Sequence, residues 1–305
     1  MANSKILNNF FKYCVLAFFL YGSLCRAEDN QVSDIISDAY LRMEKMDAKI
    51  VSPTDKLIKL DKIFSELRVL VNKAGLSSLK TSDVDDYFRS ADKLAFYSLG
   101  SSHVKEMRRS LDELERRGAA KRAERQTMLD TYIEVRWFRD ATKFAAKPIN
   151  SDLKVGPLFI PNARRHMGRS IWTVAPNGDS MNESDVSIDK GAKIIVVSSP
   201  WCHFSQNASA AIFKDEAMSA EMAKISLWIM PQTRLSKYDE MVEWNKRYVD
   251  WPIHEVNLQS DWPEIPSWAT PGFFFFQNGK LVSSVIGWPG PEQLEALRAS
   301  VAKLH

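Results

Sequence analysis

The sequence predicts a helical amino-terminal domain followed by an α/β domain built on a central mixed sheet. Up to about residue 147, apolar side chains recur at spacings of three and four, which is typical of amphipathic helices. Beyond that point, short β-branched and aromatic runs alternate with helical segments. The 305 residues are also enough for two domains. We therefore assign residues 28–148 to the all-α helical domain, 149–168 to a linker and 169–305 to the α/β domain.

Residues 1–27 have the pattern of a secretory signal peptide. Lys5 and Lys12 precede a short apolar run, and Cys25 and Ala27 supply the small residues expected before a cleavage site. The run is short for a transmembrane helix, so the membrane is a partner only if this segment stays uncleaved as an anchor. The sequence therefore predicts a periplasmic or secreted protein.

Removal of this segment changes the charge and the cysteine content of the chain. Three positive charges and no negative ones leave with it, so the formal net charge of +3 becomes zero. A neutral mature chain gives no reason to expect nucleic acid as a partner. Of the three cysteines, only Cys202 remains, and an unpaired cysteine in an exported protein is a reactive thiol or an intermolecular partner.

Five amphipathic helices are predicted in the first domain. Ser52 and Pro53 open one as N-cap and first helical residue, and Gly75 ends it. Ser82 is expected to cap the next helix, and the fifth is expected to run unbroken through residues 129–144. Such a bundle offers a surface for a protein partner. The apolar stripes of the five helices are Ile35, Ala39, Met43 and Met46; Leu57, Leu60, Phe64, Leu67 and Val71; Val84, Tyr87, Phe88, Ala91 and Leu94; Val104, Met107, Leu111 and Leu114; and Leu129, Ile133, Trp137, Ala141 and Phe144.

The second domain reads as strands separated by turns and helices. The continuous β-branched run at 193–198 suits a buried central strand. A helix follows Cys202, another covers about 236–248, and an amphipathic helix at 291–304 ends the chain. The remaining strands are expected at 171–175, 186–188, 225–230, 253–257, 272–276 and 281–286.

One cysteine and one proline stand at the junctions where chemistry is expected. Trp201 and Cys202 follow the central strand and open a helix, while Thr270 and Pro271 lead directly into the Phe273–Phe276 strand. Metal-ligand spacings such as His-x-x-x-His or Cys-x-x-Cys are missing from the sequence, and so is a glycine-rich phosphate loop. The sequence therefore predicts neither a metal nor another cofactor.

This order of features resembles the thioredoxin superfamily over about residues 165–305. The segment 186–197 ahead of Trp201 and Cys202 looks more like its exported branch. The resemblance implies a thioredoxin-like sheet flanked by helices and a cis bond before Pro271. It also implies that Thr270 pairs with an extended substrate segment and that Trp201 forms a wall of the site.

Two positions depart from the superfamily's pattern. Ser205 stands where a dithiol enzyme has its second cysteine, and Val196 stands where cytoplasmic-type thioredoxins have a buried aspartate. A serine hydroxyl cannot resolve a mixed disulfide, although it can donate a hydrogen bond to the Cys202 thiolate. A protonated His203 would also favour the thiolate.

The predicted function is therefore thiol–disulfide exchange through the single thiol Cys202, as mixed-disulfide formation, isomerisation or the holding of a thiol. Its partners would be a protein substrate carrying a thiol or disulfide and an external reductant. The alternative is a redox-inactive module of the same fold that binds peptides or serves envelope assembly. A cluster of tryptophans ahead of Thr270 is expected to form part of a peptide-binding rim; it comprises Trp244, Trp251, Trp262 and Trp268.

Overall fold

A computed structural model describes residues 31–49, 51–162, 168–233 and 237–304. The predicted signal peptide at 1–27 lies outside these residues. Among the described helices, none is both long and apolar enough to cross a bilayer. The chain divides into two compact units, one ending at Thr131 and one beginning at Tyr132.

The first unit is helical, as predicted. Its helices are α1 at 31–47, α2 at Pro53–Ala74, α3 at Thr81–Ser98, α4 at Ser101–Arg116 and the first part of α5 at Arg122–Glu134. Helix α2 begins as expected, because the Ser52 hydroxyl accepts a hydrogen bond from the Asp55 N–H at 3.1 Å. It ends before Gly75, whose φ of 81° is one that glycine adopts without strain.

Helix α3 begins two residues earlier than predicted. Lys80, not Ser82, is its N-cap residue, and the Asp83 carboxylate accepts a hydrogen bond from the Lys80 N–H. The core of this unit is aromatic at its centre, where the Phe64 and Tyr87 rings stack at 5.4 Å. Most side chains predicted to form the helical stripes are buried, but the stripe of α1 contains Ile36 and not Ile35, which is 46% exposed. The buried stripe residues include Met43, Leu60, Val71, Val84, Phe88, Leu94, Val104, Met107 and Leu111.

The prediction of one long fifth helix is wrong. The segment forms α5 and a separate α6 at Phe138–Ala145. The break occurs at Arg136, which has a left-handed φ of 63°, and the Trp137 N–H turns back to the Tyr132 carbonyl at 2.8 Å. The Arg136 side chain holds this turn by donating hydrogen bonds to the Asn257 carbonyl and the Glu255 carboxylate. The apolar spacing continues through the break and so conceals it.

The second unit is α/β with a mixed sheet, as predicted, and the sheet has eight strands. The strand order is β1-β3-β2-β6-β5-β4-β7-β8. Strands β4, β5 and β6 are mutually parallel, and β7 runs antiparallel to β4. The strands are β1 Leu158–Ile160, β2 Ser170–Val174, β3 Ser180–Asp185, β4 Ala192–Val197, β5 Ser226–Met230, β6 Ile253–Val256, β7 Gly272–Gln277 and β8 Lys280–Ile286.

Two strands differ from the sequence prediction. Residues 186–188 are not a strand; the polar segment of β3 pairs with β2 instead, since the turn after β2 sets the register of the hairpin. Strand β1 lies within the segment expected to be a linker and pairs in parallel with β3. The compact sheet unit also starts at Tyr132, well before the predicted boundary at residue 149.

Alternate residues along the central strands enter two separate cores. On β4, Ile194 and Val196 join one core, while Ile195 and Val197 join the other, as the two-residue period of a strand requires. The first core packs against the helices α7 at His203–Lys214, α8 at Glu216–Ile225, α9 at Tyr238–Arg247 and α10 at Gln293–Val301. Among the described residues, the second core draws its members from strands and loops, including Trp262 and Ile265.

Candidate functional site

Cys202 occupies the junction between the buried central strand β4 and helix α7. It is the N-cap residue of α7, with extended backbone angles, and its carbonyl accepts the N–H of Gln206 at 3.0 Å. The thiol is free and partly buried. This position points the unpaired N–H groups of the first helical turn towards the sulfur, where they favour an anion.

The loop before β7 brings Thr270 to the thiol. The Cys202 Sγ lies 3.5 Å from the Thr270 carbonyl oxygen, and the Thr270–Pro271 peptide bond is cis. A carbonyl can only accept a hydrogen bond, so this contact belongs to the protonated thiol. The structure thus brings together Cys202, Thr270 and Pro271, which are far apart in the sequence.

Ser205 lies one helical turn from Cys202 and is fully buried. Its hydroxyl oxygen accepts a hydrogen bond from the Ser199 N–H at 3.3 Å, and its carbonyl accepts one from the Ser209 hydroxyl at 2.9 Å. Because the oxygen already accepts from Ser199, its hydrogen is available for the sulfur of Cys202.

The surroundings of the sulfur favour its ionised form. Burial raises the pKa of the Cys202 thiol. Opposing hydrogen bonds come from the Thr270 side chain, from the backbone and hydroxyl of Ser205, and from the backbone of Phe204. Together they outweigh burial and lower the pKa below its usual value. A lowered pKa increases the fraction of the nucleophilic thiolate at neutral pH.

His203 is placed differently from what its sequence position suggests. It is exposed on the first turn of α7, and its Nε2 lies 3.0 Å from the side-chain nitrogen of Asn207. The ring therefore pairs with a side chain one turn further along the same helix. The hydrogen bonds that lower the pKa of Cys202 come from Thr270, Ser205 and Phe204 and not from His203.

Trp201 is partly buried against the helical core, beside the thiol in sequence. The Lys237 ammonium lies 5.6 Å from the centre of its ring, within the range of a cation–π contact. Trp201 therefore packs on the core and has a cation beside its ring.

The tryptophan cluster is mostly core. Trp244, Trp251 and Trp262 are 6%, 3% and 1% exposed, so these three cannot form a rim. Trp268 is partly exposed and packs against the second core. Of the four tryptophans, Trp268 alone fits the expected rim.

Two contributors to the site were missed from the sequence. Phe204 is 55% exposed beside the thiol and supplies a backbone N–H to the sulfur. Gln206 ties down the loop before the cysteine, because its side-chain amide donates to the Pro200 carbonyl at 2.6 Å. A phenylalanine and a glutamine on a helix carry no sequence signal for either role.

The described residues contain no group of three or more His, Cys, Asp or Glu side chains that could hold a metal ion. A scan of the chain against protein-family models finds no matching family. A search of curated proteins likewise finds no significant match.

Proposed function

We propose that the chain is an exported member of the thioredoxin superfamily that acts through one thiol, Cys202, in thiol–disulfide exchange. The observation that carries the proposal is the set of hydrogen bonds at Cys202, which lowers the pKa of the thiol despite burial. A buried cysteine with a structural role has no need of such a set, since it behaves as a small apolar side chain.

The arrangement of the sheet unit supports the membership. Strand β4 lies between parallel β5 and antiparallel β7, with Cys202 at its carboxyl end. Strand β7 follows Pro271, forms a hairpin with β8, and precedes helix α10. This is the order on which the sequence resemblance rests, now with Thr270 in contact with the sulfur. Export is proposed from the pattern of residues 1–27.

The reaction begins with Cys202 as thiolate. It attacks one sulfur of a disulfide in a protein substrate, forming a mixed disulfide and releasing the other substrate sulfur as a thiolate. A second substrate thiolate then attacks the substrate sulfur of the mixed disulfide, which forms a new substrate disulfide and returns Cys202 as thiolate. One disulfide is broken and one is made, so this isomerisation consumes no oxidant or reductant.

Ser205 determines how long the mixed disulfide lasts. Its hydroxyl stabilises the thiolate but cannot attack the mixed disulfide, because a serine has no sulfur to form the new bond. The covalent intermediate therefore lasts until a thiol from the substrate or from an external reductant arrives. The Thr270 backbone and Trp201 form the walls that hold the substrate segment during this interval.

The test is the pH dependence of Cys202 alkylation in the parent protein and in Ser205→Ala. Loss of the hydroxyl removes one hydrogen bond to the sulfur anion, so we expect the thiol pKa to rise. Alkylation at pH 7 should then slow by about fivefold, since a hydrogen bond to a charged group contributes roughly 1.5 kcal/mol or less at a half-exposed site.

Ser209→Ala is the matched control. Ser209 is equally buried on the same helix, but its hydroxyl donates to the Ser205 carbonyl within the helix. Its removal should leave the alkylation profile of Cys202 unchanged. Equal effects of the two substitutions would mean that the helix, and not the Ser205 hydroxyl, controls the thiol.

Trapping decides between the enzyme and the redox-inactive binding module. Acid-quenched extracts of the exporting cells should contain mixed disulfides with the parent protein and none with Cys202→Ala. An ordinary thiol pKa without Cys202-dependent adducts would favour the binding module. Ser205→Cys should gain dithiol reductase activity, since it supplies a sulfur that can resolve the mixed disulfide.

A further inference from the structure

A groove runs between helices α7 and α9, beside the loop that carries Cys202. Its volume is about 510 Å³. Pro200 and Gln206 line the end near the thiol, and the Gln206 N–H is the one that bonds to the Cys202 carbonyl. The groove therefore opens within one helical turn of the reactive sulfur.

The two helices that line the groove run in the same direction. Near their starts, Lys237, the N-cap residue of α9, lies against the Trp201 ring. Near their ends, the Phe213 and Tyr248 rings meet at 6.0 Å. Positions along α9 can therefore be read as positions along the groove, with residue 239 near the thiol and residue 247 far from it.

The charged side chains that line the groove are negative near the thiol and positive at the far end. Asp239 and Glu240 line the end near the thiol, Glu243 lies one turn further on, and Arg247 lines the far end. Lys237 pairs with Glu240 at 3.0 Å and Lys246 pairs with Glu243 at 2.7 Å. Both pairs are exposed, and such pairs are weak and readily exchanged for another cation.

The groove also has an aromatic floor. Trp244 and Tyr248 line it and are 6% and 7% exposed. The indole N–H of Trp244 is buried and has no hydrogen-bond acceptor among the described residues. A buried donor without an acceptor is costly, and a peptide carbonyl would satisfy it if the indole turned slightly towards the groove.

We propose that this groove binds the segment of the substrate polypeptide that flanks its reacting cysteine, and that it selects a segment with a basic residue close to that cysteine. The proposal rests on the thiol–disulfide exchange proposed above and adds the class of substrate. Asp239 and Glu240 receive the basic side chain, and the aromatic floor receives the backbone and apolar groups next to it.

The dimensions fix the length of the bound segment. Asp239 and Arg247 are eight residues apart on one helix, which at 1.5 Å per residue corresponds to about 12 Å. An extended peptide covers about 3.4 Å per residue, so roughly four residues fill the groove. The preference for a basic residue should therefore decrease when that residue lies more than about four positions from the cysteine.

The test uses short peptides whose single cysteine is activated as a mixed disulfide with 5-thio-2-nitrobenzoate. Attack by Cys202 joins the peptide to the protein and releases the coloured thiolate, so atoms and electrons balance. One peptide has lysine two positions from the cysteine and its twin has glutamate there. We expect the lysine peptide to react about fivefold faster at low ionic strength, as one or two partly exposed charge pairs allow.

The rate ratio of the two peptides is compared across variants, which cancels changes in the reactivity of the thiol itself. In the Asp239→Asn/Glu240→Gln double variant the ratio should fall to about one, and added salt should have the same effect on the parent. Glu295→Gln is the matched control, because it removes an exposed carboxylate from α10, outside the groove lining. There the ratio should stay at the parent value.

The outcomes separate the two proposals. A ratio near one in the parent, or a ratio unchanged in the double variant, overturns the groove while leaving exchange at Cys202 intact. Failure of every peptide to react overturns the proposed exchange. The groove is then tested by the binding of unreactive serine peptides to Cys202→Ala, where tighter binding of the lysine peptide, lost in the double variant, supports it and equal binding overturns it.

Discussion

One ionic network of the helical unit and one of the sheet unit differ in their exposure to water. In the helical unit, Asp47 meets Lys93 at 2.6 Å and Tyr97 at 2.5 Å near the surface, with the Asp47 side chain 30% exposed. In the sheet unit, the Arg136 and Glu255 side chains pair at 2.8 Å and are only 6% and 1% exposed.

The two networks differ in how well water solvates their charged groups. A charge at the surface is solvated whether or not its partner is present, so a surface pair adds little to stability. A charge removed from water depends on its partner, and loss of the partner leaves a desolvated charge. The Cys202 thiol is likewise partly buried, so neighbouring protein groups contribute to its pKa.

The largest effect is expected at the buried pair. Arg136→Met should destabilise the sheet unit by about 3–5 kcal/mol, because the buried carboxyl group of Glu255 would lose its partner. The Arg136 guanidinium also donates to the Val256 and Asn257 carbonyls, at 2.5 Å and 2.7 Å. In the variant these two carbonyls would lose their hydrogen-bond donor. Denaturant unfolding followed by tryptophan fluorescence measures this unit, since all nine tryptophans lie at or beyond residue 137.

Two further variants sharpen this comparison. Arg136→Met/Glu255→Met should recover much of the lost stability, since it removes both buried charges together. In the helical unit, Arg116→Met removes an exposed partner of Glu113 and should produce no measurable change. A small effect of Arg136→Met would show that water reaches Glu255 and would erase the contrast between the units.

A second effect on the stability of the sheet unit is expected when the pH is lowered. His254 is partly buried on β6 with its Nδ1 2.8 Å from the Thr173 hydroxyl, and desolvation lowers its pKa from 6.5 to about 4. The unfolded chain takes up the proton first. The stabilisation is therefore complete above pH 6.5, decreases as the pH falls towards 4 and is lost below it. The shift corresponds to about 3 kcal/mol.

His254→Gln separates this contribution from the others. Glutamine can still hydrogen-bond Thr173 but does not titrate, so the fluorescence-detected stability of the variant should depend less on pH between 4 and 6.5. The slopes of the two curves of unfolding free energy against pH should differ by nearly the amount that corresponds to the uptake of one proton on unfolding. Parallel curves would mean that His254 is protonated in the folded protein.

The smallest effect is expected in the helical unit. Burial raises the pKa of Asp47, but hydrogen bonds from Lys93 and Tyr97 and the charges of Lys93 and Lys56 outweigh it and lower the pKa below 3.8. The contribution to stability is present above pH 3.8 and is lost as the pH falls through the folded value. Asp47→Asn should cost about 1 kcal/mol or less, because the site is partly solvated.

Amide hydrogen exchange of peptides from α3 is the suitable measurement, since residues 1–131 contain no tryptophan. Added salt should reduce the effect of Asp47→Asn, whereas it should leave the effect of Arg136→Met nearly unchanged. The reverse order of salt sensitivity would contradict the assignment of surface and buried character to the two networks.

Local signals in the sequence predicted much of the fold and part of the site. The start of α2 at Pro53 follows from the Ser52 cap, and its end follows from Gly75. The β-branched run of β4 predicted a central strand, and the junction after it predicted the place of Cys202. These features depend on residues within a few positions of one another, so the sequence carries them directly.

Other features depend on partners far along the chain. The break at Arg136 exists because three acceptors on residues 255, 256 and 257 fold back to its guanidinium. Strand β3 is mostly polar, and its pairing with β1 and β2 follows from the sheet and not from its composition. The burial of Trp262 and the exposure of Phe204 likewise follow from the packing of the sheet unit.

The sequence alone determined that there is one thiol after residue 27, that it opens a helix, and that a serine stands three residues after it. Each of these is a matter of residue identity and local spacing. Only the tertiary structure decided which groups reach the sulfur. Thr270 and the Ser205 hydroxyl act on it while His203 turns to Asn207, because hydrogen bonds depend on distance and direction, which local spacing does not specify.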